Sequence, residues 1–516
     1  MSDRKLRWLS FGLVATAGAG VLGLTAMTHP AVAHADGEDI GVVLGASGLP
    51  IPGSIPQYVQ AADAQYLDNP ATMLYPDLTF YQATPANPFG NGLFTPEGLY
   101  PLTGVHTLEL NFPAGTDGFP SESTSVGQGI SILESAIAAN TAADDTSTVF
   151  GYSQSATIAS YVMQQLDPSG TPETGSPTDP AFLLIGDPSN PNGGLLERFA
   201  GFETTSGQTV PDQLNLPSLG VSFDSVTPAD DFTTNIYSLE YDGFADFPRY
   251  PINFLSDLNA FLGIDFIHGT YLNGGVDGSG PTAEQIANAI LLPGSAADGT
   301  ADSLTNYYII DETAPLVSLL PTQLQELLGP DLTYLINLGY GDGTLGYSVT
   351  PDSPANVPTP FGLFPDVSPS TILSTLVTDT EQGFQNLTSG TDPFSTAVDP
   401  ATSSATSFTD LMSALSTDAA DPSATLTDLV NAISTSASAL YSIALPTADI
   451  INALVTSVPA YDASLFTDNL SSGNFQDALG LPIAADTALV TLAAGFEVSV
   501  IEDAVSQISG AFSGLF

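Results

Sequence analysis

The residue of this chain best suited to chemistry is Ser153, which lies in the short sequence Gly151-Tyr152-Ser153-Gln154-Ser155. A serine hydroxyl becomes a strong nucleophile when a neighbouring base takes its proton, and histidine is the usual base near neutral pH. The 516 residues include only four histidines and no cysteine, so thiol catalysis and thiolate-bound metal sites are excluded. The residue types therefore favour a serine nucleophile that is activated by histidine.

Two of the four histidines remain candidates for the base. His29 and His34 lie in the N-terminal segment, which we expect to be removed as a signal peptide. His106 precedes Ser153 and begins a strand-like run, so we assign it a structural role. His268 follows Ser153 in the chain and is the predicted base.

Three aspartates that follow strand-like runs are candidates for the acid that orients the imidazole. Asp187 follows the first such run after Ser153, Asp242 follows the second, and Asp246 lies four residues further along the same loop. We prefer Asp242, because it directly follows the strand, where the backbone is best fixed; Asp246 and Asp187 are the alternatives. The chain order Ser153, Asp242, His268 is that of an α/β-hydrolase triad, and we expect each of the three to follow a strand.

Backbone N–H groups near Ser153 are candidates to stabilise an oxyanion. Gln154 begins the helix predicted after the serine. Its backbone N–H is a candidate because the first N–H groups of a helix have no hydrogen-bond partner within the helix. The turn Gly45, Ala46 and Ser47 follows the predicted first strand, and a turn of this kind supplies the second N–H in α/β-hydrolases.

The elements that must hold these residues alternate along the chain between strand-like and helical patterns. Continuous apolar runs predict buried strands, and apolar residues at helical spacing predict helices. The predicted strands are Ile40–Leu44, Thr107–Phe112, Thr148–Phe150, Ala181–Ile185 and Asn235–Tyr241, with a last strand-like run at Ile264–Tyr271, and the predicted helices are Gly127–Asn140 and Ala156–Met163. This alternation predicts an α/β-hydrolase fold with a mostly parallel sheet.

Four regions are predicted along the chain. A basic N-terminus, a long apolar run and the sequence Ala33-His34-Ala35 predict a secretory signal peptide that is cut after Ala35. The predicted regions are the signal peptide 1–35, the α/β-hydrolase domain 36–300, an extension and candidate lid 301–395, and a mainly helical Ala/Ser/Thr-rich domain 396–516. We expect a secreted protein, extracellular or associated with the cell envelope, and no membrane-spanning stretch beyond the signal peptide.

The charge balance excludes one class of partner. The chain holds 56 acidic and 5 basic residues, a formal net charge of −51, and only Arg198 and Arg249 are basic beyond the signal peptide. A surface with so few basic residues lacks the positive charge that binds the phosphate backbone of a nucleic acid, so we expect no nucleic-acid binding. The predicted chemistry of Ser153 calls for an acyl-ester substrate. No pattern calls for a cofactor or a metal, and none defines an oligomeric state.

Several of these stretches together resemble the PE-PPE domain, a cutinase-like α/β-hydrolase family of the actinobacterial cell envelope. The resemblance covers about residues 39–275 and rests on Val43–Pro52, Val149–Ala156, Gly186–Pro188, Pro191–Gly194, Tyr241–Pro248 and His268–Tyr271. It implies esterase or lipase activity on a lipid or acyl-ester substrate, or acyl transfer between envelope glycolipids such as acylated trehaloses. It also implies association with cell-envelope lipid. It also implies that Ser153 is the nucleophile, that His268 is the base and that the acid lies in the Asp242 loop.

Three functions are consistent with these residues. The first is a secreted serine esterase or lipase that acts on acyl esters through an acyl-enzyme on Ser153. The second, which the resemblance implies, is an acyltransferase that moves fatty acyl groups between trehalose-type glycolipids. The third is a non-catalytic envelope protein that keeps a hydrolase fold. The chain order of Ser153, Asp242 and His268 favours catalysis over the third function.

Overall fold

The structure is a computed structural model and describes residues 37–74, 78–79, 90–98, 124–168, 179–200, 214–223, 225–272, 280–299, 303–389 and 422–513. The predicted signal peptide, His106 and the predicted strand Thr107–Phe112 lie outside the described residues. The described part contains a central sheet with flanking helices, followed by a group of C-terminal helices.

The central sheet is mostly parallel, as predicted. The strands of the described part are β1 Asp39–Val43, β2 Thr146–Tyr152, β3 Ala181–Ile185, β4 Asn215–Leu216, β5 Val221–Ser222, β6 Thr234–Leu239, β7 Ile290–Leu291 and β8 Thr305–Ile310. Six of them form one sheet in the order β1-β2-β3-β6-β8-β7, while β4 and β5 form a separate hairpin. The neighbours from β1 to β8 run parallel, and β7 is antiparallel to β8 at the edge.

Side chains of the central strands alternate between two buried faces, as the two-residue period of a strand requires. In β3, Phe182 and Leu184 belong to one core cluster, whereas Leu183 and Ile185 belong to the other. Every residue of β3 is buried, which explains why this strand reads as a continuous apolar run in the sequence.

Helices cover both faces of the sheet. They are α1 Pro56–Ala62, α2 Ser125–Ala142, α3 Gln154–Leu166, α4 Leu195–Arg198, α5 Phe254–Phe266, α6 Ala283–Ala287, α7 Pro315–Ser318, α8 Thr322–Asn337, α9 Pro369–Ser389, α10 Pro422–Val455, α11 Ser457–Ser471 and α12 Phe475–Ser513. The predicted helices Gly127–Asn140 and Ala156–Met163 lie within α2 and α3. Their buried side chains share a core cluster with Phe182 of the sheet, so these helices hold one face of the strands that carry the candidate site.

Two expectations about elements were wrong. The run Ile264–Tyr271 is not a strand, because it contains the end of α5 and a short 3₁₀ turn at His268–Thr270. Phe261 and Ile264 are spaced like residues on one helical face and are both buried, so the apolar run continues a helical stripe. The sheet also extends past the domain boundary predicted at residue 300, because β8 pairs in parallel with β6.

The C-terminal region is helical, as predicted, and side-chain contacts fix it to the rest of the molecule. Phe496 of α12 packs edge-on against Phe261 of α5, with 5.8 Å between the ring centroids. A Cβ at Gly495 would lie 2.3 Å from the Phe261 ring, so the glycine permits this close approach. Ser218, in the loop between β4 and β5, donates to the carbonyl of Asp449 on α10 at 2.8 Å.

Two C-terminal stretches contradict our expectation that no stretch beyond the signal peptide is long and apolar enough to span a membrane. Ile443–Ser471 and Phe475–Ile501 are long and apolar enough to cross a membrane by length and composition. The first contains Pro446 and Pro459 and the second contains Pro482, and each stretch is partly buried within the molecule.

Candidate active site

Ser153 lies on the sharp turn between β2 and α3, as predicted. Its backbone has φ 61° and ψ −121°, a conformation that residues with a side chain rarely adopt and that is often found at functional sites. Gly151 permits the turn, because a Cβ there would lie 2.9 Å from the carbonyl oxygen of Ser155. The Ser155 hydroxyl accepts the N–H of Tyr152 at 2.8 Å, so this small polar residue completes the turn.

Ser153, His268 and Asp242 form one chain of hydrogen bonds. Nε2 of His268 lies 2.8 Å from Oγ of Ser153, and Nδ1 lies 2.8 and 2.9 Å from the two carboxylate oxygens of Asp242. The three residues are at most 3% exposed, so water screens these contacts little. A neutral imidazole that carries its proton on Nδ1 can donate to Asp242 and accept the hydroxyl proton of Ser153 at Nε2.

Further donors fix the carboxylate of Asp242. The Tyr271 hydroxyl donates to Oδ2 at 2.8 Å, and the backbone N–H of Phe244 donates to Oδ1 at 3.0 Å. The same Tyr271 oxygen accepts the N–H of Leu239 at the end of β6, 2.8 Å away. Burial and the charge of Asp242 raise the pKa of Tyr271 well above its ordinary value, so the hydroxyl keeps its proton and remains a donor.

The imidazole of His268 is enclosed on several sides. The Phe244 ring packs edge-on against the imidazole, with 4.7 Å between the ring centroids. The backbone carbonyl of His268 accepts a hydrogen bond from the Tyr152 hydroxyl. Gly186, directly after β3, has φ +55°. A Cβ on Gly186 would lie 3.1 Å from Cε1 of His268 and 2.9 Å from the ring of Tyr271. A glycine at this strand end therefore makes room for the imidazole.

The two alternative acids have other partners. Asp246 accepts the N–H of Tyr241 at 3.0 Å, and Asp187 accepts the Thr227 hydroxyl at 2.5 Å and the N–H of Ser189 at 2.9 Å. Burial raises the pKa of Asp187 to about 6 and that of Asp246 well above its ordinary value. The structure thus brings Asp242, the preferred acid, to the imidazole and places the alternatives in backbone-supporting roles.

The predicted oxyanion turn lies beside the serine. Gly45 permits the tight turn, because a Cβ at this position would lie 1.9 Å from the carbonyl oxygen of Leu49. Within the turn, the carbonyl of Ala46 accepts a hydrogen bond from the N–H of Leu49. Ser47 lines the same cavity as Ser153 and Gln154. The buried Ser47 hydroxyl has no hydrogen-bond partner among the described residues, so it is available to a ligand.

Gln154 is the first residue of α3, where backbone N–H groups have no partner within the helix. Its side-chain amide donates to the carbonyl of Gly98 at 2.6 Å, and its side-chain oxygen lies 3.5 Å from Oγ of Ser125. These contacts fix the residue next to Ser153. The roles of Gln154 and of the Gly45–Ser47 turn in holding an oxyanion stay predictions.

Sequence reasoning did not identify Glu97, a buried acid whose backbone contacts the predicted oxyanion turn. Its carbonyl accepts the N–H of Gly48 at 2.7 Å, and the Thr95 hydroxyl donates to its Oε1. The side chain is fully buried, and Oε2 has no partner among the described residues. Burial raises the pKa of Glu97 to about 8, so in most molecules at pH 7 the Glu97 carboxyl group is protonated and neutral.

Gly186 and Tyr271 were also missed as parts of the site. Tyr271 is three residues beyond His268, a spacing that places both side chains on one side of a tight helical turn, and this was the available signal. Gly186 carried no such signal, because its importance comes from the close approach of His268 across the sheet edge.

A cavity of about 140 Å³ reaches Ser153, Gln154 and Ser47. Its other lining residues are all apolar, and most come from α4, the β4–β5 hairpin region and the C-terminal helices, among them Leu195, Ile450 and Leu489. Pro188 and Phe244 come from the loops that follow β3 and β6. Ligand sites usually combine such an apolar wall with a few polar groups that fix the orientation. The arrangement therefore suits a ligand with one polar, reactive end and an apolar remainder.

Comparisons with known proteins place the chain in a family. A family model described as the PE-PPE domain matches residues 89–341. The uncharacterized PPE family protein PPE28 of Mycobacterium tuberculosis is 37% identical over 96% of this chain and 70% of its own length. The esterase PE16 of the same organism is 39% identical over 53% of this chain and 45% of its own length, so the chain spans about half of that relative. No solved structure matches the chain.

Proposed function

The chain belongs to the PE-PPE domain family, and from that premise we propose that it is a serine esterase that cleaves acyl esters through Ser153. The observation that carries the proposal is the 2.8 Å contact between Nε2 of His268 and Oγ of Ser153, with the carboxylate of Asp242 behind the imidazole. The similarity to an esterase points to the same reaction class, hydrolysis of a carboxylic ester.

In the proposed reaction, Ser153 Oγ attacks the acyl carbonyl while His268 takes its proton. The resulting oxyanion accepts hydrogen bonds from the Gln154 N–H and from the turn that ends at Ser47. The tetrahedral intermediate collapses as His268 returns the proton to the leaving alcohol, which leaves an acyl-enzyme. Water then attacks the acyl carbon while His268 takes its proton. The second tetrahedral intermediate breaks its bond to Ser153 Oγ, which regains the proton from His268, and the carboxylic acid is released. Asp242 keeps the proton of the imidazole on Nδ1 and stabilises the cation that forms.

The burial of the site favours a second candidate, acyl transfer to a sugar hydroxyl. Ser153 is 3% exposed and His268 is 1% exposed, so bulk water has little access to the acyl-enzyme in this conformation. Exclusion of water is what allows an alcohol to compete as the acceptor, because the residues and the proton transfers are the same. The resemblance to the family points to trehalose-type glycolipids as the class of acceptor.

We also propose that the chain acts outside the cytoplasm, after removal of residues 1–35. The basic N-terminus, the apolar run and the Ala33-His34-Ala35 sequence support this location. Mass analysis of the exported protein should give an N-terminus at Asp36. An exported chain that begins at Met1 would contradict the proposed cleavage.

The function is tested by steady-state hydrolysis of p-nitrophenyl butyrate. We expect Ser153→Ala to lower kcat by at least about 10³-fold, because no other group replaces the nucleophile. Adding trehalose to the wild type separates the two candidates: acylated trehalose among the products indicates transfer, and butyrate alone indicates hydrolysis. Activity of Ser153→Ala at the wild-type level would exclude both.

A further inference from the structure

The walls of the cavity come from two parts of the chain that are far apart in sequence. One part is the hydrolase itself, with Leu195, Leu196 and Phe244 close to the candidate triad. The other part is the group of C-terminal helices α10, α11 and α12, which lies beyond the family match at residues 89–341. The C-terminal helices thus complete a space that begins at Ser153.

Helix α12 presents one continuous face to this space. Leu489, Leu492, Ala493 and Phe496 line the cavity, and their spacing of three, four and seven residues from the first places them on one side of a helix. Ala494, next to Ala493 in the chain, is exposed. The helix is therefore oriented, with a lining face toward the cavity and an outer face toward solvent.

Helix α10 contributes a second face of the same kind. Ile450, Ala453 and Leu454 line the cavity with the spacing of one helical stripe. The Thr447 hydroxyl donates to the carboxylate of Glu497 at 2.5 Å, which joins α10 to α12. This contact, together with the attachment of α12 to α5, holds the wall in a fixed position over the cavity.

The chemistry of the lining selects one class of ligand. Ser47, Ser153 and Gln154 are the polar lining residues, and none of the lining residues is charged. A cavity of about 140 Å³ with an apolar wall is close in size to one that accepts benzene, so an aliphatic chain of about six carbons is a suitable occupant. An ester group at Ser153 would leave its acyl chain among the apolar side chains.

We infer that the C-terminal helices α10–α12 form the acyl-chain binding site of this protein and set the chain length of its ester substrate. The inference rests on the proposed function of Ser153 and adds the part of the substrate that the hydrolase domain alone does not define. Each buried methylene strengthens binding about fourfold. The kcat/KM is therefore expected to rise about fourfold per carbon up to about six carbons and then to level off or fall.

The inference is tested with two matched variants, Ala493→Phe and Ala494→Phe. Both place the same large side chain on α12, one on the lining face and the other on the exposed face. Initial rates are measured on p-nitrophenyl acetate, butyrate, hexanoate, octanoate and decanoate. For Ala493→Phe we expect the ratio of kcat/KM for hexanoate to that for acetate to fall at least about tenfold, since its ring occupies the space of two or more methylenes. For Ala494→Phe we expect the wild-type ratio.

A third variant keeps the test decisive if Ala493→Phe does not fold. Leu492→Ala enlarges the cavity, and we expect it to move the best substrate toward longer chains by about two carbons. Wild-type chain-length profiles in folded Ala493→Phe and Leu492→Ala would overturn the inference. Hydrolysis that survives in Ser153→Ala would instead overturn the proposed function, so the two failures are distinguishable.

Discussion

The role of Asp242 is set by how its two oxygens are occupied. It accepts hydrogen bonds from Nδ1 of His268, the Tyr271 hydroxyl and the Phe244 N–H, so both of its oxygens have partners. Asp246 is equally buried but accepts a backbone N–H instead. The two aspartates of one loop therefore have separate partners: Asp242 contacts the imidazole, as the proposed mechanism requires, and Asp246 contacts the backbone of the loop.

Asp242→Asn should lower kcat by about 10⁴-fold, because an amide NH₂ facing Nδ1 stabilises the wrong tautomer of His268. The matched control is Asp246→Asn, which changes a carboxylate in the same loop and should keep kcat within about threefold of wild type. Both are measured as kcat on p-nitrophenyl butyrate. Equal losses in the two variants would contradict the assignment of the acid.

Elements that signal through local pattern were predicted well, and those that depend on distant contacts were not. The elbow at Ser153 is local, because a buried strand, a tight turn and a helix follow one another directly in the sequence. His268 lies within hydrogen-bond distance of Ser153, but the element predicted for it was wrong, because it lies in a 3₁₀ turn after α5 and not in a strand. A short stretch such as Ile264–Ile267, with three apolar residues and Asp265, does not distinguish the end of a helix from a strand.

A paired glycine substitution tests how strand β3 positions the imidazole. Gly186 and Gly299 both have positive φ, +55° and +79°, but only Gly186 has neighbours within reach of a Cβ; nothing lies within 4 Å at Gly299. Alanine should cost about 1–2 kcal/mol of stability at either position through backbone strain.

Only Gly186→Ala should also lower kcat, by about 100-fold, because the new methyl group displaces the imidazole of His268 and the ring of Tyr271. Thermal unfolding and kcat are measured for both variants. A Gly186→Ala enzyme with the kcat of Gly299→Ala would show that the close approach at β3 does not position the base.

At the scale of the whole molecule, buried acids couple stability to pH. The net charge is −51, and burial raises the pKa of Glu97 to about 8 and of Glu240 to about 7. The unfolded chain releases these protons near their ordinary pKa of 4.5, so between about pH 4.5 and 8 the folded state binds more protons. Rising pH therefore destabilises the folded state, and self-repulsion of the acidic chain acts in the same direction.

We expect the Tm to be highest near pH 5 and to fall toward pH 8. Glu97 alone contributes a slope of up to about 1.4 kcal/mol per pH unit in this window. Glu97→Gln keeps the size of the side chain and removes its titratable group. The fall in Tm between pH 5 and pH 8 should therefore be shallower than in the wild type. The measurement is thermal unfolding at intervals of one pH unit, and parallel curves for the two proteins would contradict the buried, neutral state of Glu97.

The helical nature of residues 422–513 could be predicted, because apolar residues recur at helical spacing there. Their place at the candidate site could not, because the contacts of Phe496 with Phe261 and of Ser218 with Asp449 join segments more than 200 residues apart. Ser47 and Ser153 line one cavity because the strands that precede them, β1 and β2, are paired in the sheet. The residues of the candidate site could therefore be proposed from short motifs, whereas the shape of the cavity depends on the whole fold.

The most direct test of the account is the mass of the covalent adduct that the protein forms with a fluorophosphonate. Ser153 should displace fluoride, so peptides from a chymotryptic digest should carry one phosphonyl group, located on Ser153. Ser153→Ala should form no adduct, and His268→Ala should react at least about 10²-fold more slowly, because it lacks the base. Modification of a different serine, or equal labelling of Ser153→Ala, would contradict the central claim that Ser153 is the nucleophile.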